Sequence, residues 1–256
     1  MRHLLNLIAV TLLLMFTSAN TFANSGMSVP ILVYHNFDPV KPGSMTVTPN
    51  RFETQLNWML KNGYTVIPLQ TLVNYLLGKT STIPEKSVVI TVDDGRKSVD
   101  TYLLPIVKKY HIPVTLFIFP QVISHAPYAL TWEDLKSLQN TGLFDIQDHT
   151  YWHPNFKQEK KRLSQAAYIK LVHTQLVTSK KVLEEKLGIK ITLLAWPFGI
   201  YDANLEKDAK NAGYLMAFSI KARPANRTEN AMSMPRYMII ADQNMKMFET
   251  IVRRQS

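Results

Sequence analysis

Apolar and polar positions follow a repeating order along this chain: an apolar run, a polar turn and then a segment of helical spacing. Apolar runs of strand length lie at residues 29–34, 64–67, 88–92, 113–119, 143–147, 191–196, 214–220 and 235–240. Segments with helical spacing lie at residues 48–63, 69–77, 98–110, 131–142, 164–187, 202–211 and 244–252. This alternation predicts a mainly parallel sheet covered by helices, either open or closed into a barrel.

The N-terminal residues differ from the rest of the chain. Arg2, an apolar run from Leu4 to Phe16 and a small-residue stretch that ends at Ala23 are typical of a secretory signal peptide. The apolar run is too short to span a bilayer comfortably, and no second run of that kind follows. We therefore predict a signal peptide at residues 1–23, cleaved after Ala23 or Ala19, and one domain at residues 24–256 in the secreted or periplasmic protein.

Composition narrows the possible partners. Cysteine is absent, so disulfides cannot stabilise a secreted form and the core has to do so. The formal net charge of the 256-residue chain is +10, and removal of Arg2 leaves about +9. This charge suits an anionic cell surface or polymer, or simply reflects a basic surface without a function. No dense basic run is interleaved with aromatic residues, so nucleic acid binding is not predicted. The oligomeric state is not indicated.

Two adjacent carboxylates, Asp93 and Asp94, end the apolar run at residues 87–92. Because neighbouring acids repel each other, this position favours a bound cation. His149 and His153 follow another run, and one helical turn or a tight loop would place both imidazoles on one side. With Asp94 they form a two-histidine, one-carboxylate set, which leaves coordination positions free for water and substrate. The alternative is that the two acids cap the following helix.

Other polar residues follow strands as well. His35 ends the first apolar run, and ligands of parallel α/β folds bind at the carboxyl ends of strands. If Asp94 binds a metal, Asp93 is free to take a proton from water. Asp148, next to His149, either orients that imidazole or is an ordinary solvated acid.

Three motifs resemble those of the polysaccharide deacetylases, the NodB-homology group or carbohydrate esterase family 4. Residues 91–95 (T-V-D-D-G), 149–153 (H-T-Y-W-H) and 196–199 (W-P-F-G) are similar to T-F-D-D-G, H-[ST]-x-x-H and R-x-P-Y. Most similar are the secreted poly-β-1,6-N-acetylglucosamine deacetylases, which have an early Y-H motif, present here at residues 34–35. The resemblance covers most of the mature chain and implies a single-domain distorted (β/α) barrel with fewer than eight units.

The resemblance also implies an activity, a cofactor and residue roles. It implies hydrolysis of N-acetyl groups of an N-acetylglucosamine polymer, with acetate and a free amine as products. A divalent metal, usually zinc but also nickel, cobalt or iron, would be bound by Asp94, His149 and His153, and Asp93 would be the general base. Peptidoglycan and chitooligosaccharides are alternative substrates. A catalytically impaired carbohydrate-binding relic is the alternative to an enzyme.

The chain departs from the family pattern in ways that affect the catalytic groups. No arginine precedes Pro197, so the group that positions the base is absent or supplied by another residue, such as Arg236. No histidine follows His173, although most of the family takes its general acid from a late L-x-x-H segment. His35 is therefore predicted to be the acid, with a pKa raised by nearby carboxylates. The predicted substrate contacts are Trp196, Pro197, Phe198, Trp152 and Arg236.

Overall fold

Strands and helices alternate along the residues that the computed structural model describes, which are 27–40 and 43–254. The predicted signal peptide, residues 1–23, lies outside them. The strands are β1 (Ile31–Tyr34), β2 (Asn36–Phe37), β3 (Thr46–Val47), β4 (Thr65–Val66), β5 (Ser87–Asp93), β6 (Val114–Ile118), β7 (Phe144–Asp148), β8 (Leu193–Ala195), β9 (Met216–Phe218) and β10 (Tyr237–Met238).

The α-helices cover the outside of the sheet. They are α1 (Pro49–Lys61), α2 (Leu69–Leu76), α3 (Leu104–Tyr110), α4 (Trp132–Asn140), α5 (Phe156–Arg162), α6 (Gln165–His173), α7 (Ser179–Leu187), α8 (Ala203–Asn211) and α9 (Met245–Arg253). Within residues 27–40 and 43–254, none of the helices combines the length and apolar character needed to cross a bilayer.

The main sheet is parallel, with strand order β10-β1-β5-β6-β7-β8-β9, and β4 pairs with β5. The chain after β9 closes this sheet. Ser219 donates its backbone N–H to the carbonyl of Met234 beside β9 (2.8 Å), and Tyr237 of β10 is in register with Leu32 of β1. The same segment therefore contacts both outer strands, and the sheet curls into the single-domain distorted (β/α) barrel predicted from the sequence. That prediction is confirmed.

The two faces of the barrel strands are buried in different clusters. Successive side chains of a strand point to opposite faces. Along β5, Ile90 and Val92 pack in the cluster that includes most of the helices, whereas Val89 packs in the inner cluster with Phe117 and with residues of α2. Asp93 has the same parity as Val89 and is in register with Phe117. The alternation therefore directs the Asp93 carboxylate into the barrel at the carboxyl end of the strand.

Local sequence patterns account for most helix ends. Thr131 and Asp134 form the predicted reciprocal cap of α4, each side chain accepting the other's backbone N–H at 3.0 and 2.9 Å. A new helix begins near Pro105, because a π-helical turn at Val99–Leu103 precedes α3. The sequence prediction missed α5, which is short and follows the second motif.

Candidate active site

Asp93 ends β5 and is only 2% exposed. Its carboxylate accepts two hydrogen bonds from the guanidinium of Arg236, at 2.9 and 2.7 Å. Arg236 is itself held by the Thr91 hydroxyl (3.2 Å) and the Ser219 carbonyl (3.2 Å). Burial alone would raise the pKa of Asp93, but Arg236 and His149 outweigh burial and lower it to about 2. Asp93 is therefore ionised at neutral pH.

Asp94 lies beside the two histidines of the second motif. One potential ligand atom each from Asp94, His149 and His153 lie within 4.8 Å of one another. The Nε2 atoms of His149 and His153 are 3.8 and 3.9 Å from Oδ1 of Asp94. Two imidazoles and one carboxylate are the donor set of open zinc and related divalent sites. The structure thus brings together the residues that the sequence predicted as a metal site.

The hydrogen bond of His149 and the pKa of His153 both suit metal binding. The Nδ1 atom of His149 is 2.7 Å from the carbonyl oxygen of Ala195, so it carries the proton and leaves the Nε2 lone pair available. Burial, then the neighbouring His149, lower the pKa of His153 to about 4. His153 is neutral at physiological pH, and neutral imidazole is the form that binds metals. The cluster therefore fits a divalent cation in both geometry and charge.

Sharp loops rather than a helix present these ligands. Asp94, Thr150 and His153 have positive φ values of 79°, 67° and 60°, which non-glycine residues rarely adopt. The segment between His149 and His153 is therefore a tight loop, which is one of the two conformations the spacing allowed. Backbone strain of this kind is typical of sites where the surrounding structure fixes functional side chains.

His35 follows β1, and β1 pairs with β5 so that Tyr34 is in register with Val92. The register places His35 next to Asp93 in the sheet. Its Nδ1 atom is buried and has no hydrogen-bond partner among the residues that the structure describes. Burial lowers the pKa of His35, although Asp93 and Asp94 act in the opposite direction. The expectation of a raised pKa is therefore wrong, because desolvation outweighs the two carboxylates.

A hydrogen-bond network that the sequence prediction missed fixes the chain after His35. The hydroxyl of Ser98 donates to the Asn36 side chain at 2.8 Å and accepts the backbone N–H of Phe37 at 3.1 Å. Asn36 also donates to the Thr46 hydroxyl at 3.1 Å. No local sequence pattern predicts this contact, because it joins residues 62 positions apart.

The predicted sugar-stacking role of Trp196 is contradicted by its position. Trp196 is 1% exposed, donates its indole N–H to the Met232 carbonyl at 2.7 Å and packs against Phe156 and Tyr201. Alternation along β8 puts Trp196 on the same side as Leu194, toward the helices. No ring face is left for a sugar, so Trp196 is a core residue.

The other predicted substrate contacts differ in accessibility. Pro197 is buried, whereas Phe198 is 56% exposed and places its ring edge-on to His153, with centroids 4.6 Å apart. Gly199 follows with φ 64°, and a side chain there would meet Ile220 at 2.5 Å, so only glycine permits this turn. Trp152 is half-buried. Phe198 and Trp152 therefore retain surface that a sugar can contact.

Arg236 is not available to a substrate, because its side chain is completely buried. Its prediction as a substrate contact is wrong. Arg236 contacts Asp93 instead, which is the alternative that the missing arginine before Pro197 suggested.

The contacts also exclude helix capping by Asp93 and Asp94, and they exclude both roles that the sequence suggested for Asp148. No side chain caps the helical segment that begins at Val99, so neither Asp93 nor Asp94 acts as its N-cap. Asp148 is fully buried and accepts hydrogen bonds from Ser179 (2.7 Å) and Tyr214. It is neither a solvated acid nor the partner of His149.

Comparisons with known proteins identify a family and similar folds. A model of the polysaccharide deacetylase family matches residues 80–217. The chain is 26% identical over 214 residues to a poly-β-1,6-N-acetyl-D-glucosamine N-deacetylase of Staphylococcus aureus, covering 82% of this chain and 71% of that protein. Its fold is similar to the Streptococcus pyogenes deacetylase PplD in complex with acetate, with TM-score 0.77, 24% identity and coverage of 90% and 98%. It is also similar to IcaB from Ammonifex degensii, with TM-score 0.75, 22% identity and coverage of 91% and 99%.

Proposed function

Since this chain belongs to the polysaccharide deacetylase family, we propose that it removes N-acetyl groups from a polysaccharide of the poly-β-1,6-N-acetylglucosamine type. The reaction is metal-dependent hydrolysis of a linear amide. It gives acetate and a free amine on the sugar. The S. aureus relative, named for this substrate, supports the choice of polymer.

One observation carries the proposal: the neighbouring carboxylates Asp93 and Asp94 have different partners. Asp94 lies with His149 and His153 in the cluster that fits a metal, whereas both oxygens of Asp93 are bonded to Arg236. A site that only bound carbohydrate would not need an ionised, buried carboxylate beside a metal site. The different partners of Asp93 and Asp94 therefore support an enzyme over a carbohydrate-binding relic.

Asp94, His149 and His153 are the residues that would hold the metal. A divalent ion, with zinc as first choice and nickel, cobalt or iron as alternatives, would supply Lewis-acid polarisation of the N-acetyl carbonyl and a lowered pKa for water.

The remaining residues have roles in proton transfer and binding. Asp93, ionised beside Arg236, accepts the proton of the water that attacks the N-acetyl carbon. His35 donates a proton to the nitrogen of the leaving amine. Because burial lowers the pKa of His35, it is largely neutral near pH 7, so the proton it donates is the one that Asp93, its neighbour in the sheet, takes from the water and passes on during turnover. The exposed ring of Phe198 and the half-buried Trp152 are proposed to contact the sugar.

Acetate release tests the function. The purified chain is assayed with poly-β-1,6-N-acetylglucosamine, chitooligosaccharide and peptidoglycan, first with added zinc and then after chelation. We expect release from the first polymer that stops on chelation and returns when metal is restored. Faster release from either other polymer would contradict the substrate, and release that survives both chelation and Asp93→Asn would contradict the mechanism. No release from any polymer with metal bound would favour the relic.

The location of the protein is part of the same proposal. Residues 1–23 are proposed to be the signal peptide and residues 24–256 the catalytic domain of a secreted or periplasmic enzyme, where its polymer is found. The basic net charge of +10 favours association with an anionic surface. The N-terminal sequence of the exported protein checks this: a mature chain beginning at residue 24 or 20 is expected, and an intact Met1 on an exported protein would contradict it.

A further inference from the structure

A π-helical segment, Thr174–Thr178, joins α6 to α7 in one continuous helix. The backbone N–H of Ser179 donates to the carbonyl of Thr174, five residues earlier, whereas an α-helix pairs residues four apart. Turns of this kind are rare within α-helices and often occur at functional sites. No residue of the segment has a role in the proposed hydrolysis. Its contacts with the loop of residues 149–153 indicate another role.

Gln175, in the π-helical segment, is bonded to the residue that precedes a potential metal ligand. Its Oε1 atom accepts the backbone N–H of Trp152 at 3.1 Å, and Trp152 is followed by His153. His153 has a φ of 60°, which is unfavourable for a residue other than glycine and persists only where the surrounding contacts fix it. The hydrogen bond from Trp152 to Gln175 is one of those contacts.

Ser179, the first residue of α7, is bonded to the other end of the same loop. Its hydroxyl donates to Oδ1 of Asp148 at 2.7 Å, and the Asp148 carboxylate also accepts a hydrogen bond from the backbone of Thr150. Thr150 follows His149 and has a φ of 67°. Asp148 thus acts on the backbone of the loop and not on the imidazole of His149. One helix therefore fixes the backbone next to both histidines of the potential metal site.

Packing alone does not account for a glutamine at position 175. Gln175 is 0% exposed, and its Nε2 atom has no hydrogen-bond partner among the residues that the structure describes. A buried donor without an acceptor lowers the stability of the fold. Methionine has a similar length and no amide donor, so it would avoid this loss. What glutamine contributes at this position is therefore its hydrogen bond with Trp152.

We propose that Gln175 is a positioning residue of the metal site, assisted by Ser179. The helix holds the loop of residues 149–153 so that the Nε2 atoms of His149 and His153 are directed at one shared position. Neither Gln175 nor Ser179 touches metal or substrate, and both act through the backbone of the loop. The inference rests on the proposed metal-dependent function and adds the residues that determine its metal affinity from outside the ligand set.

The zinc affinity of a Gln175→Met protein tests the inference. Metal is removed from the purified protein, and the dissociation constant for Zn²⁺ is measured by competition with a coloured chelator at constant pH. We expect the affinity to fall about tenfold or more, which is typical when a group that orients metal ligands is lost. The visible absorption of the Co²⁺-loaded protein, which depends on coordination geometry, should also change. Ser179→Ala should lower zinc affinity about threefold, because Thr150 still bonds to Asp148.

Gln55, in α1, provides a matched control. It is also 0% exposed, its Oε1 atom accepts the hydroxyl of Tyr34 at 2.9 Å, and its Nε2 atom also lacks a partner among the described residues. Tyr34 belongs to the core cluster between the sheet and the helices and not to the loop of residues 149–153. Gln55→Met should therefore shift the midpoint of urea denaturation of metal-free protein at least as much as Gln175→Met. It should leave zinc affinity and the Co²⁺ spectrum unchanged.

The outcomes separate this inference from the proposed function. Wild-type zinc affinity with an unchanged Co²⁺ spectrum in Gln175→Met would overturn the inference and leave the function intact. An equal loss of affinity in Gln55→Met would also overturn it, because the effect would then belong to the core and not to the loop. If Gln175→Met does not fold, Ser179→Ala decides, since it removes a single oxygen, and wild-type affinity in that variant would overturn the inference. A wild-type protein that binds neither Zn²⁺ nor Co²⁺ would instead refute the metal-dependent function itself.

Discussion

Asp93 and Asp148 are both fully buried at the carboxyl ends of strands in one sheet, yet their pKa values move in opposite directions. The pKa of Asp93 falls to about 2, whereas burial raises the pKa of Asp148 to about 7. Register explains why their surroundings differ. Asp93 is in register with Phe117, which points into the barrel, and Asp148 with Ile118, which points toward the helices.

The partners of the two carboxylates decide the difference. Asp93 meets the guanidinium of Arg236, whereas Asp148 accepts hydrogen bonds from the hydroxyls of Ser179 and Tyr214 and from the backbone of Thr150. Hydroxyl donors lower the pKa of Asp148 somewhat but do not offset its desolvation. A buried carboxylate is thus kept ionised by a buried cation. That is the state a general base requires at neutral pH.

The largest effect is expected when the charge of Asp93 is removed. Asp93→Asn keeps the shape of the side chain but cannot accept a proton, so kcat for acetate release should fall by roughly 10²–10⁴. Bound metal, measured by elemental analysis, should be retained. Asp94→Ala should fail differently, by losing the metal. Equal metal loss in both variants would contradict the division of roles between the two acids.

Arg236→Met should be nearly as damaging, because it leaves Asp93 buried without its cation. Breaking a buried ion pair costs about 3–5 kcal/mol of the free energy of unfolding, which urea denaturation measures. The pKa of Asp93 should rise, so the acid limb of the pH profile of kcat/KM should move to higher pH.

The double variant Arg236→Met with Asp93→Asn gives the control for this pair. It removes the unpaired charge and should therefore regain much of the lost stability. Arg236→Lys keeps a charge but cannot make two parallel hydrogen bonds, so its stability should be intermediate. Additive losses in the double variant would show that Arg236 acts on the fold independently of Asp93.

The sequence predicted the surroundings of Asp93 far better than those of Asp148. Adjacent acids after an apolar run marked Asp93, and the i, i+4 histidines marked its neighbourhood. The contact with Arg236 joins residues 143 positions apart, and only closure of the barrel brings them together. Asp148 lies beside His149 in the same motif, and nothing local to the sequence says which face of β7 it occupies.

The error on Trp196 has the same physical origin. Strands of a parallel sheet are buried on both faces, so they read as continuous apolar runs without visible alternation. Every residue of β5 and β8 is buried, and the inward and outward positions cannot be distinguished from residue type. Strand ends and helix caps were therefore predictable from the sequence, whereas the facing of side chains was not.

The third prediction concerns pH: Asp148 and Asp93 contribute to the free energy of unfolding in opposite pH ranges. A raised pKa in the folded state stabilises the protein below the unfolded value of about 3.9, and this contribution is lost as pH rises toward 7. For Asp148 the loss should be a few kcal/mol, on the order expected from the difference between 3.8 and about 7. Asp93 acts in reverse, since its contribution is present above about pH 4 and is lost as pH falls toward 2.

Asp148→Asn should therefore remove the decline in the free energy of unfolding that Asp148 contributes between about pH 4 and pH 7, a decline that the lowered pKa of His153 partly offsets in the wild type. Urea denaturation of metal-free protein at several pH values measures it, since metal affinity then makes no contribution. Asp93→Asn serves as the matched control and should keep the decline. An unchanged slope in Asp148→Asn would mean that Asp148 is ionised in the folded protein despite its burial.

The smallest effect is expected for the Tyr214 hydroxyl, which bonds to Asp148, whereas Asp93 is bonded to the guanidinium of Arg236. Tyr214→Phe removes one donor to Asp148 and should cost about 1–3 kcal/mol of the free energy of unfolding, because a buried acceptor loses a partner. Tyr110→Phe is a matched control, since the Tyr110 hydroxyl donates to Glu53 at the surface, where water can replace it. The loss in Tyr214→Phe should also grow as pH rises through 7, because the ionised form of Asp148 depends most on that donor. A pH-independent loss would instead mean that Tyr214 stabilises the fold by donating its single hydroxyl proton to the Leu176 carbonyl, the alternative acceptor, and not to Asp148.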